Sequence, residues 1–514
     1  MTMQQEVVNN PMDIAVTSVT AAQLFSGDVI DVDKESPNGF KARLNLPEYQ
    51  RPYKWSPSDV KALLGDLEAY FTANTEMIDS QSKHDKPLLY LGSVVLHQVT
   101  NGSETILNII DGQQRITTLQ LICMAIAAKN GNSYSLPNMQ YGSPSSHERI
   151  AKNYQWLTAQ SLPESLLALD LSRINFTVVI TQSEDEAYRF FETQNTGGVR
   201  LSGPQVIKAH HLRAIPSEIQ NNFARKWESF NYLDGVVNRL LKARSWQAFG
   251  FKNVPSHRAP EGVKKAIVKE FAENTGGKNE DLAFSRGAQI KSLSGAISQH
   301  LVDGYLAKQP LNAGINTVNY LAYFNELNHT LMVEQSQPYL EPFYSFYNEV
   351  VLKANNSDFL TELFDIAILL YVSEFGTEHL NEASFWLARC VFSIRLYNEK
   401  TVREDSISSF VNKYPLLDWI TTAYEHKQLL AMLQNFERDI SPDNIGISDR
   451  DGKAANSVKQ KFLKGYAAFF NIHIAQRTGK QLAQSFDAEL KQGIENKLAE
   501  PKDRNVPALQ ECVA

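Results

Sequence analysis

Ile106-Leu-Asn-Ile-Ile-Asp-Gly-Gln-Gln-Arg-Ile-Thr-Thr-Leu119 is the stretch on which the fold turns. The apolar run Ile106 to Ile110 stops at the polar turn Asp111-Gly112-Gln113-Gln114-Arg115, and Ile116 to Ala128 continues with helical spacing. The pattern predicts strand, tight turn and helix, with the polar residues gathered where the helix begins. Backbone N–H groups in a first helical turn lack intrahelical acceptors and carry partial positive charge, which makes such a turn a seat for anions. Gly112 lets a ligand approach the backbone, and Arg115 offers a fork for phosphate. Asp111 can face a metal ion or water, or hold the turn by accepting backbone N–H bonds. Gln113 and Gln114 can position water or a base. Thr117 and Thr118 fall in the first turn, where their hydroxyls either meet the anion or cap the helix.

Working outward, Leu88 to Val99 and Glu104 to Ile110 read as two strands joined at Asn101-Gly102. Ser56-Pro57 is a cap followed by proline at the first helical position, opening a helix through Phe71. Arg173 to Thr181 reads as a further strand. Glu184 to Thr193 reads as a helix broken by Gly197-Gly198, and Ser202 caps another helix to about Ala214. Tyr49, Gln50, Arg51, Tyr53 and Trp55 form a polar-aromatic cluster in which arginine can pair with phosphate and rings can stack on a base or anchor the next helix.

Four blocks in this order, Tyr49-Gln-Arg-Pro-Tyr-Lys-Trp55, Leu91-Gly-Ser93, Ile109-Ile-Asp-Gly-Gln-Gln-Arg-Ile-Thr-Thr-Leu119 and Asn195-Thr-Gly-Gly198 with a later Lys208, resemble the N-terminal domain family of GmrSD-type modification-dependent restriction systems. The resemblance covers about residues 15–215. It implies a fold similar to ParB and sulfiredoxin, which bind nucleotide phosphates at the corresponding turn. It further implies binding and hydrolysis of an NTP with Mg²⁺, which licenses DNA cleavage in related systems. On that reading Asp111, Gln113, Gln114 and Arg115 are the catalytic candidates, with Asp111 as the metal ligand. Tyr49, Gln50, Arg51, Gly112, Arg115, Thr117, Thr118, Asn195 and Lys208 would hold the nucleotide. The expected partners are NTP, phage or modified DNA, and a separate nuclease or effector.

Composition bounds the rest. Hydrophobic residues at 43% and charged residues at 21% describe an ordinary globular chain, and the net charge of −7 leaves DNA contact to a local patch. Asn238 to Lys269 is the candidate: Arg239, Lys242, Arg244, Lys252, Arg258, Lys264, Lys265 and Lys269 stand against Glu261 alone. From it Arg239, Lys242, Arg244, Arg258, Lys264 and Lys265 are taken as DNA-binding. Cys123, Cys390 and Cys512 are too dispersed for a Cys-rich zinc site or a disulfide framework. The start lacks a signal-peptide pattern and no apolar run spans a membrane, so a cytoplasmic location is expected.

No nuclease motif is recognised. His426 and His473 read as isolated, and His210-His211 point to different helix faces. Pro442-Asp443 with Asp451-Gly452-Lys453 echoes a metal-nuclease pattern but lacks flanking strands. Beyond residue 216 helical periodicity dominates, for example in Phe385 to Tyr397 and Leu416 to Phe436. The expected architecture is α+β: a ParB/sulfiredoxin-like mixed α/β domain at 15–215, an α-helical domain at 216–440, and a C-terminal helical segment and tail at 441–514. The leading function is an NTP-binding, NTP-hydrolysing sensor subunit. A nuclease with an unrecognised active site and a non-catalytic nucleotide- or DNA-binding adaptor stand as alternatives.

Overall fold

The computed structural model describes residues 14–27, 42–74, 88–101, 104–183, 186, 202–230, 232–246, 260–291, 297–355, 357–397, 402–442, 445 and 457–500. The expected helix at Glu184 to Thr193 apart from Glu186, the break at Gly197-Gly198, Asn195, Arg258 and the 451–453 segment therefore lie outside the described residues. The chain packs as two compact units, residues 1–201 with 216–228, and residues 202–215 with 229–514. Two helices flank the expected boundary at 215/216. Gly203–Ala214 packs within the second unit and Ser217–Glu228 within the first.

The first unit is built on a mixed five-stranded sheet. Its strands are β1 (Ile14–Thr20), β2 (Ala42–Asn45), β3 (Leu89–Asn101), β4 (Glu104–Asp111) and β5 (Ile174–Thr181), in the order β1-β5-β3-β4-β2. β3 runs antiparallel to β4 and parallel to β5, while β2 adds parallel to β4 at the edge. The β-branched residues of β3 and β5, Val94, Val95, Val178 and Ile180, suit a pleated surface buried on the core. Helix α1 (Ala21–Ser26) follows β1, and α2 (Pro57–Ala73) opens as expected, with Asp59 Oδ2 accepting the Ser56 N–H at 2.7 Å. Helix α3 (Gln113–Asn130) buries residues around most of its circumference, from Ile116 and Leu119 to Ala125 and Ile126. It is a core helix with its first turn at the end of β4. Helices α4 (Pro144–Ala159) and α5 (Glu164–Leu167) complete the cover.

The second unit is mainly helical, as the periodicity predicts, with one departure. Phe284–Lys291 and Ile297–Gly304 pair as an antiparallel two-stranded ribbon. A second correction concerns Leu416 to Phe436, which is two helices, Leu416–Thr422 and His426–Asn435, parted at Ala423-Tyr424-Glu425. Asp358–Phe375 and Leu380–Tyr397 form the buried centre of this unit. Among the described residues no helix is long and apolar enough to cross a membrane.

The expected basic patch is corrected by the packing of helix Leu233–Ser245. Arg239 pairs with the buried Asp365 at 2.8 Å and bonds Asn328 Oδ1. Lys242 reaches Glu362 at 2.6 Å, and its ammonium lies over the Trp246 ring. Arg244 binds Glu270 at 2.6 Å and donates to the carbonyls of Ala307 and Gln309. These three cations are paired with carboxylates of the same unit, and Arg244 also donates to backbone carbonyls, as largely buried charges require. Lys264 is half-buried and Lys265 exposed on helix Pro260–Val268.

His210-His211 behaves as its helical position predicts. Gly314 N–H donates to His211 Nδ1 at 3.1 Å, which leaves Nε2–H to donate to the Phe271 carbonyl at 2.5 Å. Full burial pushes His211 down to about 3, so the ring is a neutral core residue.

Candidate functional site

Asp111 closes β4, and Gly112 turns the chain into α3 with φ 99°. An L side chain is strained at that angle, and a Cβ there would also meet Val94 Cγ2 at 2.9 Å. The turn therefore needs glycine, and it places the α3 N-terminus against the end of the sheet. Within the turn Ile116 N–H bonds the Gly112 carbonyl at 3.0 Å.

The two glutamines of the turn divide their work. Gln114 is buried, and its Oε1 accepts the backbone N–H of Lys54 at 2.8 Å and of Trp55 at 3.2 Å. It thereby fixes the Leu46 to Trp55 segment against α3. Gln50 reciprocates from that segment, with Nε2 donating to the carbonyls of Ile109 and Ile110 at 2.8 Å each. Gln113, only 4% exposed, has neither amide atom hydrogen-bonded among the described residues. Burying an amide without partners opposes folding, so Gln113 violates a rule that its neighbours obey.

Arg115 acts as a strap. Its Nη1 donates to the Leu91 carbonyl at 2.5 Å and Nη2 to the Ser93 carbonyl at 2.6 Å, with Asp111 at 3.9 Å. The register of β3 against β5 shifts between Tyr90 and Ser93, and Gly92 at the centre of this bulge has φ 96°. The ladder is irregular across this bulge, and the guanidinium donates to the carbonyls on either side of Gly92. Arg115, read from the sequence as a fork for phosphate, thus also holds two backbone carbonyls of β3. Its side chain is a quarter exposed and is oriented by two backbone acceptors. Arg51 lies within electrostatic reach of Asp111. Burial lowers its guanidinium from the ordinary value, and the Asp111 carboxylate partly offsets that.

Thr118 and Thr117 are both buried and both bonded. Thr118 Oγ1 donates to the Gln114 carbonyl and meets Tyr53 OH at 2.7 Å, and Asn153 Nδ2 donates to the same phenol at 3.1 Å. Thr117 Oγ1 meets Tyr141 OH at 2.8 Å, where burial pushes the phenol up to about 12. Tyr53 is therefore a core residue, and Tyr49 is also buried. Sequence reasoning passes over Tyr141, Ser146 and Asn153. They come from the segment before α4 and from α4 itself, and Ser146 Oγ accepts the Tyr53 N–H at 2.9 Å.

The structure accordingly brings together Tyr49, Gln50, Arg51, Asp111, Gly112, Gln113, Gln114, Arg115, Thr117 and Thr118 around the first turn of α3. Lys208 is buried on Gly203–Ala214 in the second unit, and Asn195 is not among the described residues. A separate cavity of about 690 Å³, lined by residues including Thr20, Gln23, Tyr134 and Asp170, shares none of these side chains.

Residues 219–448 match a family of unknown function (DUF7834). No curated protein matches the chain. Residues 32–212, which hold the Tyr49 to Trp55 segment, the β3 bulge and the turn before α3, match the GmrSD restriction endonuclease N-terminal domain. Through those residues the chain carries an N-terminal domain of the GmrSD restriction endonuclease type.

Proposed function

We propose that the first turn of α3 seats the phosphates of an NTP, and that the protein hydrolyses it with Mg²⁺ as a sensor subunit of a modification-dependent restriction system. The family match points to a restriction-system component. The observation that carries the nucleotide reading is Gln113. A buried amide without partners among the described residues stands at the first position of a long helix whose opening N–H groups also lack intrahelical acceptors. A phosphate oxygen would accept from Gln113 Nε2 and from those N–H groups. Arg51 and the outer N–H groups of Arg115 would then stabilise charge developing on the transferred phosphoryl group, and Asp111 would hold the metal ion. Nucleotide state would bias engagement of a separate nuclease and of DNA.

Calorimetry of the full chain with Mg²⁺ and each NTP tests this. Arg51→Ala is expected to weaken binding by about 1.5–3 kcal/mol, the worth of one charge-assisted bond to phosphate. Failure of the wild-type chain to bind any NTP would sink the reading.

For DNA the surface candidates are Lys264 and Lys265. Reversing both to Glu should lower the slope of log affinity against log salt by roughly 0.9 for each DNA phosphate that is no longer neutralised, with NTP turnover in the absence of DNA unchanged. A slope identical to wild type would remove this helix from any DNA interface.

A further inference from the structure

His426, isolated in sequence, is not isolated in space. It opens helix His426–Asn435, while His379 and Glu382 stand one turn apart at the start of helix Leu380–Tyr397. The chain reaches His379 through a sharp turn at Gly376, φ 74°. One ligand atom from each of His379, Glu382 and His426 lies within 4.8 Å of the others. His426 Nε2 is 3.1 Å from Glu382 Oε2, and the two imidazoles stack with centroids 4.6 Å apart and planes 12° from parallel. Behind them the buried Tyr371 places its hydroxyl 2.9 Å from His426 Nδ1.

From this juxtaposition we propose that His379, Glu382 and His426 form a binding site for a divalent transition metal, Zn²⁺ first, with a coordination position open to solvent. Two imidazoles and one carboxylate are a donor set that suits Zn²⁺, and three protein ligands leave the fourth tetrahedral position free. Bonds of about 2.0–2.1 Å put tetrahedral donors roughly 3.4 Å apart, so the trio must contract slightly. His379 is half-exposed at a helix start, where its ring has room to rotate.

The hydrogen bonding accommodates the ion without loss. Without metal, His426 Nε2–H donates to Glu382 and Tyr371 donates to Nδ1. With metal on Nε2, the proton sits on Nδ1 and the phenol accepts it, since a hydroxyl serves in either sense. A metal-bound histidine whose other nitrogen is held by a polar group is the usual second layer of such sites. Both histidines stand at helix starts, whose partial positive charge opposes a cation. Glu382, with Glu378 4.0 Å from His379, supplies the compensating negative charge.

The full chain, stripped of metal with a chelator, is titrated with Zn²⁺ against a chromophoric competitor. One equivalent should bind, and His379→Ala and Glu382→Gln should each weaken it at least about tenfold. Tyr371→Phe should weaken it by about 10- to 100-fold. Unchanged melting of the His379→Ala variant without metal separates ligand loss from unfolding. Co²⁺ in place of Zn²⁺ should give visible d–d absorption without a thiolate charge-transfer band, which distinguishes this trio from the cysteines. Absence of stoichiometric Zn²⁺ binding, affinity unchanged in His379→Ala, or a thiolate band would overturn the assignment.

Discussion

Gly92→Ala is expected to destabilise the first unit by on the order of 3–5 kcal/mol, combining backbone strain with loss of charge-assisted bonds to two carbonyls. Gly92 sits at φ 96°, and an added Cβ would land on Arg115 Nη1. The arginine can swing aside, but the Leu91 and Ser93 carbonyls then lose their donors. The two effects can be separated by a double-mutant cycle. In an Arg115→Ala background the glycine replacement costs only its backbone strain, so the double mutant should be less damaged than the sum of the singles by about 1.5–3 kcal/mol. Thermal unfolding of the four proteins, following the transition of the first unit, supplies the measurement. Additive effects would show that Arg115 does not strap the bulge.

A substitution that strengthens the protein while silencing it should be Gln113→Leu. Leucine has nearly the volume of glutamine and comparable helix preference, and it removes two buried polar atoms that have no partner among the described residues. Without nucleotide the variant should be more stable by about 1–3 kcal/mol, the cost of an unsatisfied buried group. It should also lose the rise in melting temperature that NTP and Mg²⁺ give the wild type, because the amide that would meet phosphate is gone. Stability gained at the expense of activity is the usual sign of a group kept for function. A destabilised variant, or one that keeps its nucleotide response, would place Gln113 in ordinary packing. Gln114→Leu is the contrasting control, since it strands the N–H groups of Lys54 and Trp55 and can only destabilise.

Much of the first unit is legible from local pattern. Ile106 to Ile110 is apolar except for Asn108 and rich in β-branched residues, Gly112 breaks it, and the next run has helical spacing, so β4, the turn and α3 follow from short-range preferences. Ser56-Pro57 and Ser202 open helices for the same reason. The ribbon at Phe284 to Gly304 escapes such a reading because Phe-Ser-Arg-Gly-Ala-Gln-Ile-Lys alternates too weakly to signal a strand. The break at Ala423-Tyr424-Glu425 escapes it because the segment contains neither glycine nor proline.

Site roles are less legible than elements, because a polar side chain's role depends on which partner reaches it. Arg115 reads as a free phosphate fork, yet its acceptors lie 24 and 22 residues upstream on a bulged strand. Lys242 reads as part of a basic surface until the fold brings Glu362 to it from 120 residues away. His426 reads as isolated until two helix starts meet. By itself, the sequence determined where β4 ends and α3 begins, that glycine must turn one into the other, and that polar groups gather there, because these follow from steric limits and periodicity within a few residues. Only the tertiary structure decided which of those groups are held in the fold and which are left without a partner. Charge pairing and hydrogen bonding are short-ranged in space but not along the chain, so each role was assigned when distant segments packed.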